Sequence, residues 1–99
     1  MLDSLSMEGK TVVVTGGGTG LGKAMALALA HAGANIVVAA RRLELIEETA
    51  REVRASGREA IAISTDVTDG SQISFLMEST KSKFGQIDVL INNAGIVRD

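Results

Sequence analysis

Apolar and polar positions along this chain switch repeatedly between a strand-like and a helix-like period. Thr11-Val12-Val13-Val14 is a short β-branched run stopped by glycine, and such a run bounded by a breaker reads as a buried strand. Residues 21–32 are an alanine-rich helical stretch that Gly33 ends, and Ile36-Val37-Val38-Ala39-Ala40 is a second strand. Leu43, Ile46, Ala50 and Val53 then recur at helical spacing with acidic and basic residues between them. That pattern predicts an amphipathic helix over 43–56, stopped by Gly57, with Glu47 and Arg51 as a supporting pair one turn apart. Residues 60–65 form a third strand. Thr68 or Asp69 can cap a further helix carrying Ile73, Leu76, Met77 and Phe84 before Gly85, and residues 87–91 form a fourth strand. Strands that are apolar on both faces and separated by helices make a parallel sheet with right-handed crossovers. The expectation is therefore an α/β chain, a Rossmann-like doubly wound parallel sheet in the order 3-2-1-4. Residues 1–8 read as a loose lead-in and 9–99 as the domain.

Composition narrows the chemistry. The 99 residues contain no Cys, Trp, Tyr or Pro and a single His. Thiolate catalysis, disulfides, a zinc cluster and a phenolic acid or base are thereby excluded from these residues. Ten basic against twelve acidic residues give a net charge of −2, with no basic block of the kind that follows a phosphate backbone, so nucleic acid is not the expected partner. A domain of this size buries roughly 60–65% of its unfolded surface, enough for a modest core. The longest uncharged stretch, residues 24–40, is broken by Gly33-Ala34-Asn35 and contains His31. It reads as a helix followed by a strand, not as a membrane span. No secretory pattern precedes it, and cytosol is the expected compartment.

The candidate chemistry sits between the first strand and the first helix. Thr15-Gly16-Gly17-Gly18-Thr19-Gly20-Leu21-Gly22 can adopt positive φ, bring backbone N–H groups close to a phosphate and aim the positive end of a helix at it. The plainer reading is a glycine-rich turn without a ligand. The fingerprint G-x-G-x-x-G/A fails in every register, because Leu21, Lys23 or Met25 falls at its third position. Gly17, Gly22 and Lys23 fit G-x-x-x-x-G-K, yet Ala24 follows where a magnesium-holding hydroxyl belongs. Lys23 is then expected to face solvent.

Read as T-G-x-x-x-G-x-G, Thr15-Gly16 with Gly20 and Gly22 resembles the cofactor loop of the short-chain dehydrogenase/reductase family. Asp66-Val67 after the third strand and Asn92-Asn93-Ala94-Gly95 after the fourth resemble two more of its motifs, so the resemblance runs from Glu8 to Gly95. It implies that Gly16, Gly18, Thr19, Gly20, Leu21 and Gly22 wrap the pyrophosphate and adenosine ribose of a nicotinamide dinucleotide. It further implies that Asp66 accepts a hydrogen bond from the adenine amino group while the Val67 backbone contacts the ring. Asn93, Ala94 and Gly95 would line the cofactor, and Asn92 would tie neighbouring strands. On the residues alone, Asp66 is equally a turn former or a helix cap, and Asn-Asn-Ala-Gly is a loop.

An acid at the end of the second strand would mark NAD. Ala39-Ala40 stands there, followed by Arg41 and Arg42. A guanidinium beside the ribose suits a 2′-phosphate, which favours NADP over NAD, with Arg41 preferred because it comes first. Thr19 stands where many NADP-binding relatives carry a basic residue, and both arginines could equally be surface charges opening a helix. Glu44 complements the dipole of that helix, as His31 does at the end of the preceding one.

The family's catalytic Ser, Tyr and Lys have no counterpart here, since Tyr is absent from all 99 residues. The resemblance implies hydride transfer between the nicotinamide and an alcohol or carbonyl carbon, run by a longer chain, itself a homo-oligomer. The expectation is a sheet truncated after its fourth strand, whose Val89-Leu90-Ile91 edge would promote aggregation if the chain ended at Asp99. A stand-alone nucleotide-binding module without catalysis, and a P-loop nucleotide hydrolase, remain as the other readings.

Overall fold

The computed structural model describes residues 6–93. The elements follow as β1 (Thr11–Thr15), α1 (Gly20–His31), β2 (Asn35–Ala40), α2 (Leu43–Ala55), β3 (Ala60–Ser64), α3 (Gly70–Phe84) and β4 (Val89–Asn92). All strand pairs are parallel, as the alternation of strands and helices implies, and their order is β3-β2-β1-β4. The two inner strands are the ones whose sequences are apolar on both faces. Every residue of β1 is buried, and so are the four central residues of β2.

The pleat sends alternate side chains to opposite layers. Val12, Val14, Ile36 and Val38 pack against Ala26 and Ala30 of α1 and Ile46, Ala50 and Val53 of α2. Val13, Val37 and Ala39 meet Leu76 of α3 on the other face. Each fully buried Val, Ile or Leu contributes about 1.5–3 kcal/mol of transfer free energy. Small residues on α1 let it lie close to the sheet, with Gly22, Ala26 and Ala30 as its buried positions. The carboxyl ends of β1 and β4 close side by side, with Thr15 opposite Asn92.

Several expected details shift. The fourth strand begins at Val89 because Asp88 is occupied with Thr11: its Oδ2 accepts the Thr11 N–H at 2.8 Å, and its own N–H donates to the Thr11 carbonyl. Glu47 faces Arg54 at 3.7 Å and not Arg51. Two turns apart on a 3.6-residue helix these residues share one stripe, and Arg54 is further anchored by donating to the Ala60 carbonyl at 2.7 Å. Of the lead-in, Met7 and Glu8 are docked. The Met7 N–H donates to Ala32 O at 2.8 Å, and Glu8 pairs with Arg58 at 3.1 Å. Leu90, on an outer strand, is 52% exposed. No helix among the described residues is long and apolar enough to cross a membrane.

Asp69 caps α3, its Oδ1 accepting from the Ser71 N–H at 2.9 Å and from the Ser71 hydroxyl at 2.8 Å. The Ser71 hydroxyl, then the Ser71 N–H, hold its carboxyl below the ordinary value, against a partial desolvation that raises it. A carboxylate depressed in this way stabilises the fold above its unfolded pKa, and that contribution disappears as pH falls through the folded value. Asp69→Asn keeps an acceptor for the cap but cannot titrate. The variant is therefore expected to lose less melting temperature than wild type between about pH 7 and about pH 3, as thermal melts at the two pH values will measure.

Candidate functional site

The site forms where β1, β2, β3 and β4 end at the same edge of the sheet, on either side of the point where the chain reverses its direction of strand addition. Its centre is the turn from β1 to α1. Gly16 turns the chain at φ +71 and Gly20 at φ +60, a left-handed region open to glycine at little cost. The Gly16 N–H is tied to Ala39 O at 2.7 Å, fastening the loop to β2.

The other glycines are needed for proximity. A Cβ on Gly17 would lie 2.9 Å from Val38 Cγ1, and one on Gly18 would lie 2.9 Å from Leu45 Cβ. A Cβ on Gly22 would run into the Gly16 carbonyl oxygen, with the Gly16 carbonyl carbon at 2.8 Å and Asn93 Nδ2 at 2.9 Å. The loop is thus pressed onto β2, α2 and α1 at once.

This packing leaves the amino end of α1 uncovered. Thr19 is extended at the cap position but makes no side-chain cap bond, and no acidic residue occupies the first turn. Among the described residues, the N–H groups of Gly17, Gly18 and Thr19 find no acceptor. Together with the helix dipole they form a cradle for an anion. The observation fits a pyrophosphate, because it combines donors without partners and a backbone approach that a side chain would block.

Gly16, Gly18 and Thr19 share an open pocket of ≈ 210 Å³ with Ala40, Arg41, Arg42 and Leu45. The two arginines differ in what they do there. Arg42 stands at the N-cap position of α2 without a side-chain cap bond, and donates through Nε and Nη2 to Glu44 Oε2 at 3.2 and 3.1 Å. Glu44 in turn is held below its ordinary pKa, first by its own backbone N–H and then by Arg42. The Arg41 guanidinium has neither a hydrogen bond nor an ion pair among the described residues, and its backbone is fixed by Ser64, whose hydroxyl donates to the Arg41 carbonyl at 3.1 Å.

Asp66 lies beyond β3. Its Oδ1 accepts from the Thr68 N–H at 3.0 Å and from the Thr68 hydroxyl at 2.7 Å, while Gln72 Oε1 takes its N–H at 2.8 Å. Its turn-forming role is therefore real, and it leaves Oδ2 with no hydrogen bond among the described residues. The Thr68 hydroxyl and N–H lower its pKa most, and the Arg41 charge lowers it further, so the Arg41 and Asp66 turns lie within electrostatic reach.

On the β4 side, the Thr15 hydroxyl donates to Asn92 Oδ1 at 3.0 Å and Asn93 Nδ2 donates to Gly16 O at 3.3 Å. Asn92 ties the two strands, and Asn93 braces the loop. Val67 lines a separate pocket of ≈ 370 Å³ together with Thr15, Ile73, Met77, Leu90 and Asn92. Leu21 is 64% exposed at the start of α1. Ala94 and Gly95 lie outside the described residues.

Lys23 does not face solvent freely. Its Nζ lies 2.8 Å from Glu52 Oε2 on α2, and that contact raises its pKa. The ammonium that a phosphate-hydrolysing loop would hold over its phosphates is thus drawn to the neighbouring helix. His31 closes α1 at the end away from the loop. The sequence reading also passed over Leu45, which forms one wall of the pocket, and Thr49, whose hydroxyl reaches Gly17 O at 2.9 Å. Its only trace in the sequence is a hydroxyl on the apolar stripe of α2.

The family model described as short chain dehydrogenase matches residues 10–99. A short chain dehydrogenase/reductase from Colletotrichum higginsianum is 41% identical over 95 residues, covering 96% of this chain and 35% of that protein. The crystal structure of a short-chain type dehydrogenase/reductase from Mycobacterium marinum superposes with a TM-score of 0.92 at 39% identity, covering 98% of this chain and 39% of that one. A metagenomic short-chain oxidoreductase solved in complex with NADP gives a TM-score of 0.84 at 36% identity, covering 90% and 40%. The chain spans a little over a third of the length of these proteins.

Proposed function

The chain belongs to the short chain dehydrogenase family, and from that premise we propose that it is the dinucleotide-holding part of an oxidoreductase acting with NADP(H) on an alcohol or carbonyl substrate. The observation that carries this reading is the pairing, in one pocket, of an uncapped helix amino end with an arginine whose guanidinium makes no hydrogen bond or ion pair with a described residue. Gly16, Gly18, Thr19, Gly20, Leu21 and Gly22 would hold the pyrophosphate and the ribose next to adenine through backbone N–H groups. Arg41 would take the ribose 2′-phosphate, the dianionic group for which a guanidinium fork is suited. Asp66 would accept from the adenine amino group with Oδ2, the oxygen its own turn leaves available. The Val67 backbone would contact the ring, and Asn93, Ala94 and Gly95 would pass along the cofactor from β4. Once bound, the nicotinamide supplies or accepts the hydride.

Support comes from the related metagenomic oxidoreductase, which was solved with NADP. Within these 99 residues there is no tyrosine to move the accompanying proton, so the chain is proposed to hold the cofactor and a longer polypeptide to run the reaction. Titration of the protein with NADPH and with NADH, followed by calorimetry, tests the reading. Saturable binding of both, with NADPH the tighter, is the expected result. No binding of either would return the loop to an unliganded turn, and equal affinities would remove the role given to Arg41. Release of inorganic phosphate from ATP in the presence of Mg²⁺ would instead favour the hydrolase.

A further inference from the structure

Thr49 lies on α2, fully buried, among Ile46, Ala50 and Val53. A threonine in a helix ordinarily returns its hydroxyl proton to the carbonyl four residues back. Here that carbonyl, Leu45 O, is 3.5 Å away, while Gly17 O, 32 residues back in the chain, is at 2.9 Å in a buried contact. The shorter bond goes to the glycine loop.

The geometry of the peptide group gives this bond a consequence. In a planar trans peptide the C=O and the following N–H point in opposite directions. Holding Gly17 O against α2 therefore turns the Gly18 N–H the other way, and Gly18 is one of the residues that line the pocket. That N–H is among those with no acceptor among the described residues. Glycine on either side of the bond makes external fixing necessary, because Gly17 and Gly18 have no Cβ to restrict the rotation of their shared peptide.

We propose that Thr49 is a positioning residue for anion binding, orienting the Gly17–Gly18 peptide so that the Gly18 N–H faces the bound phosphate. The inference rests on the dinucleotide reading above and assigns a role in it to an α2 side chain that is not part of the pocket lining. Val38 beneath Gly17 and Leu45 beneath Gly18 set how near the loop comes to the fold. Thr49 sets which way its peptide turns.

The test compares Thr49→Val, which keeps the shape and removes the donor, with Thr49→Ser, which keeps the donor and removes a methyl. NADPH affinity is measured well below the melting temperature of each protein. Thr49→Val is expected to raise the Kd by about fivefold to tenfold, the scale of one buried hydrogen bond, and Thr49→Ser to stay within about twofold of wild type. A purely structural role would track melting temperature instead, with both variants weakened in proportion to their loss of stability. Wild-type affinity in Thr49→Val overturns the inference while leaving the dinucleotide reading intact. Absence of binding by the wild type overturns both. Should Thr49→Val not fold, Thr49→Ala takes its place: weaker binding than Thr49→Ser supports the inference, and equal binding overturns it.

Discussion

Gly22→Ala is expected to raise the NADPH Kd on the order of a hundredfold and to destabilise the fold by about 2–3 kcal/mol. The added methyl has no direction in which to relax. It would collide with the Gly16 carbonyl oxygen and crowd Asn93 Nδ2 at 2.9 Å, and both groups are fixed, Asn93 by its own bond to that carbonyl. Gly16 would have to move outward, taking with it the N–H that fastens the loop to Ala39 O at 2.7 Å. Displacing donors by about an ångström from a bound group costs on the order of a hundredfold, which sets the expected rise in NADPH Kd. Gly70→Ala is the matched control, since a Cβ there meets nothing within 4 Å and opens α3 with a better helix former. Melting and NADPH titration of the two variants, side by side, separate loop geometry from a general effect of replacing glycine. A folded Gly22→Ala protein with wild-type affinity would contradict the packing described for the loop.

Arg41→Ala is expected to weaken NADPH binding by about ten- to a hundredfold while changing NADH affinity by less than about twofold, the range set by one or two charge-assisted bonds. The two dinucleotides differ only in the 2′-phosphate, so the ratio of the two effects reports that contact alone. Arg42→Ala is expected to do much less. Its guanidinium already rests on Glu44, and removing it frees a carboxylate at the start of α2, where the helix dipole stabilises negative charge. Raising the salt concentration should shrink the Arg41 effect, because the screening length falls from about 10 Å at about 0.1 M to about 3 Å at about 1 M ionic strength, the length of an exposed ion contact. An equal loss for NADPH and NADH in Arg41→Ala would move the 2′-phosphate assignment elsewhere.

The legible parts of this protein were those governed by short-range pattern. The β-branched run of β1 and the apolar stripe of α2 are periodic over a few residues, and burial follows that period, so their positions could be read directly. The glycine loop, Arg41, Asp66 and Asn93 were legible as candidates because strand ends in a parallel sheet meet at one edge. At Asp66 one carboxylate oxygen makes the turn, and the other has no hydrogen bond among the described residues. The pairing of Glu47 with Arg54 was misjudged by one turn of helix, since side-chain reach and the anchor at Ala60 O override spacing alone.

By itself the sequence determined the order of strands and helices, their parallel arrangement, the family resemblance and the place of the loop, because these depend on periodicities and motifs that a chain carries locally. Only the tertiary structure decided which guanidinium is left without a hydrogen bond or ion pair among the described residues, that Lys23 pairs with Glu52, why Gly22 has no room for a side chain and that the Thr49 hydroxyl reaches a carbonyl 32 residues away. Those outcomes depend on distances between segments that pack together, and such distances are fixed by the sheet and its two helical layers, not by neighbouring residues along the chain.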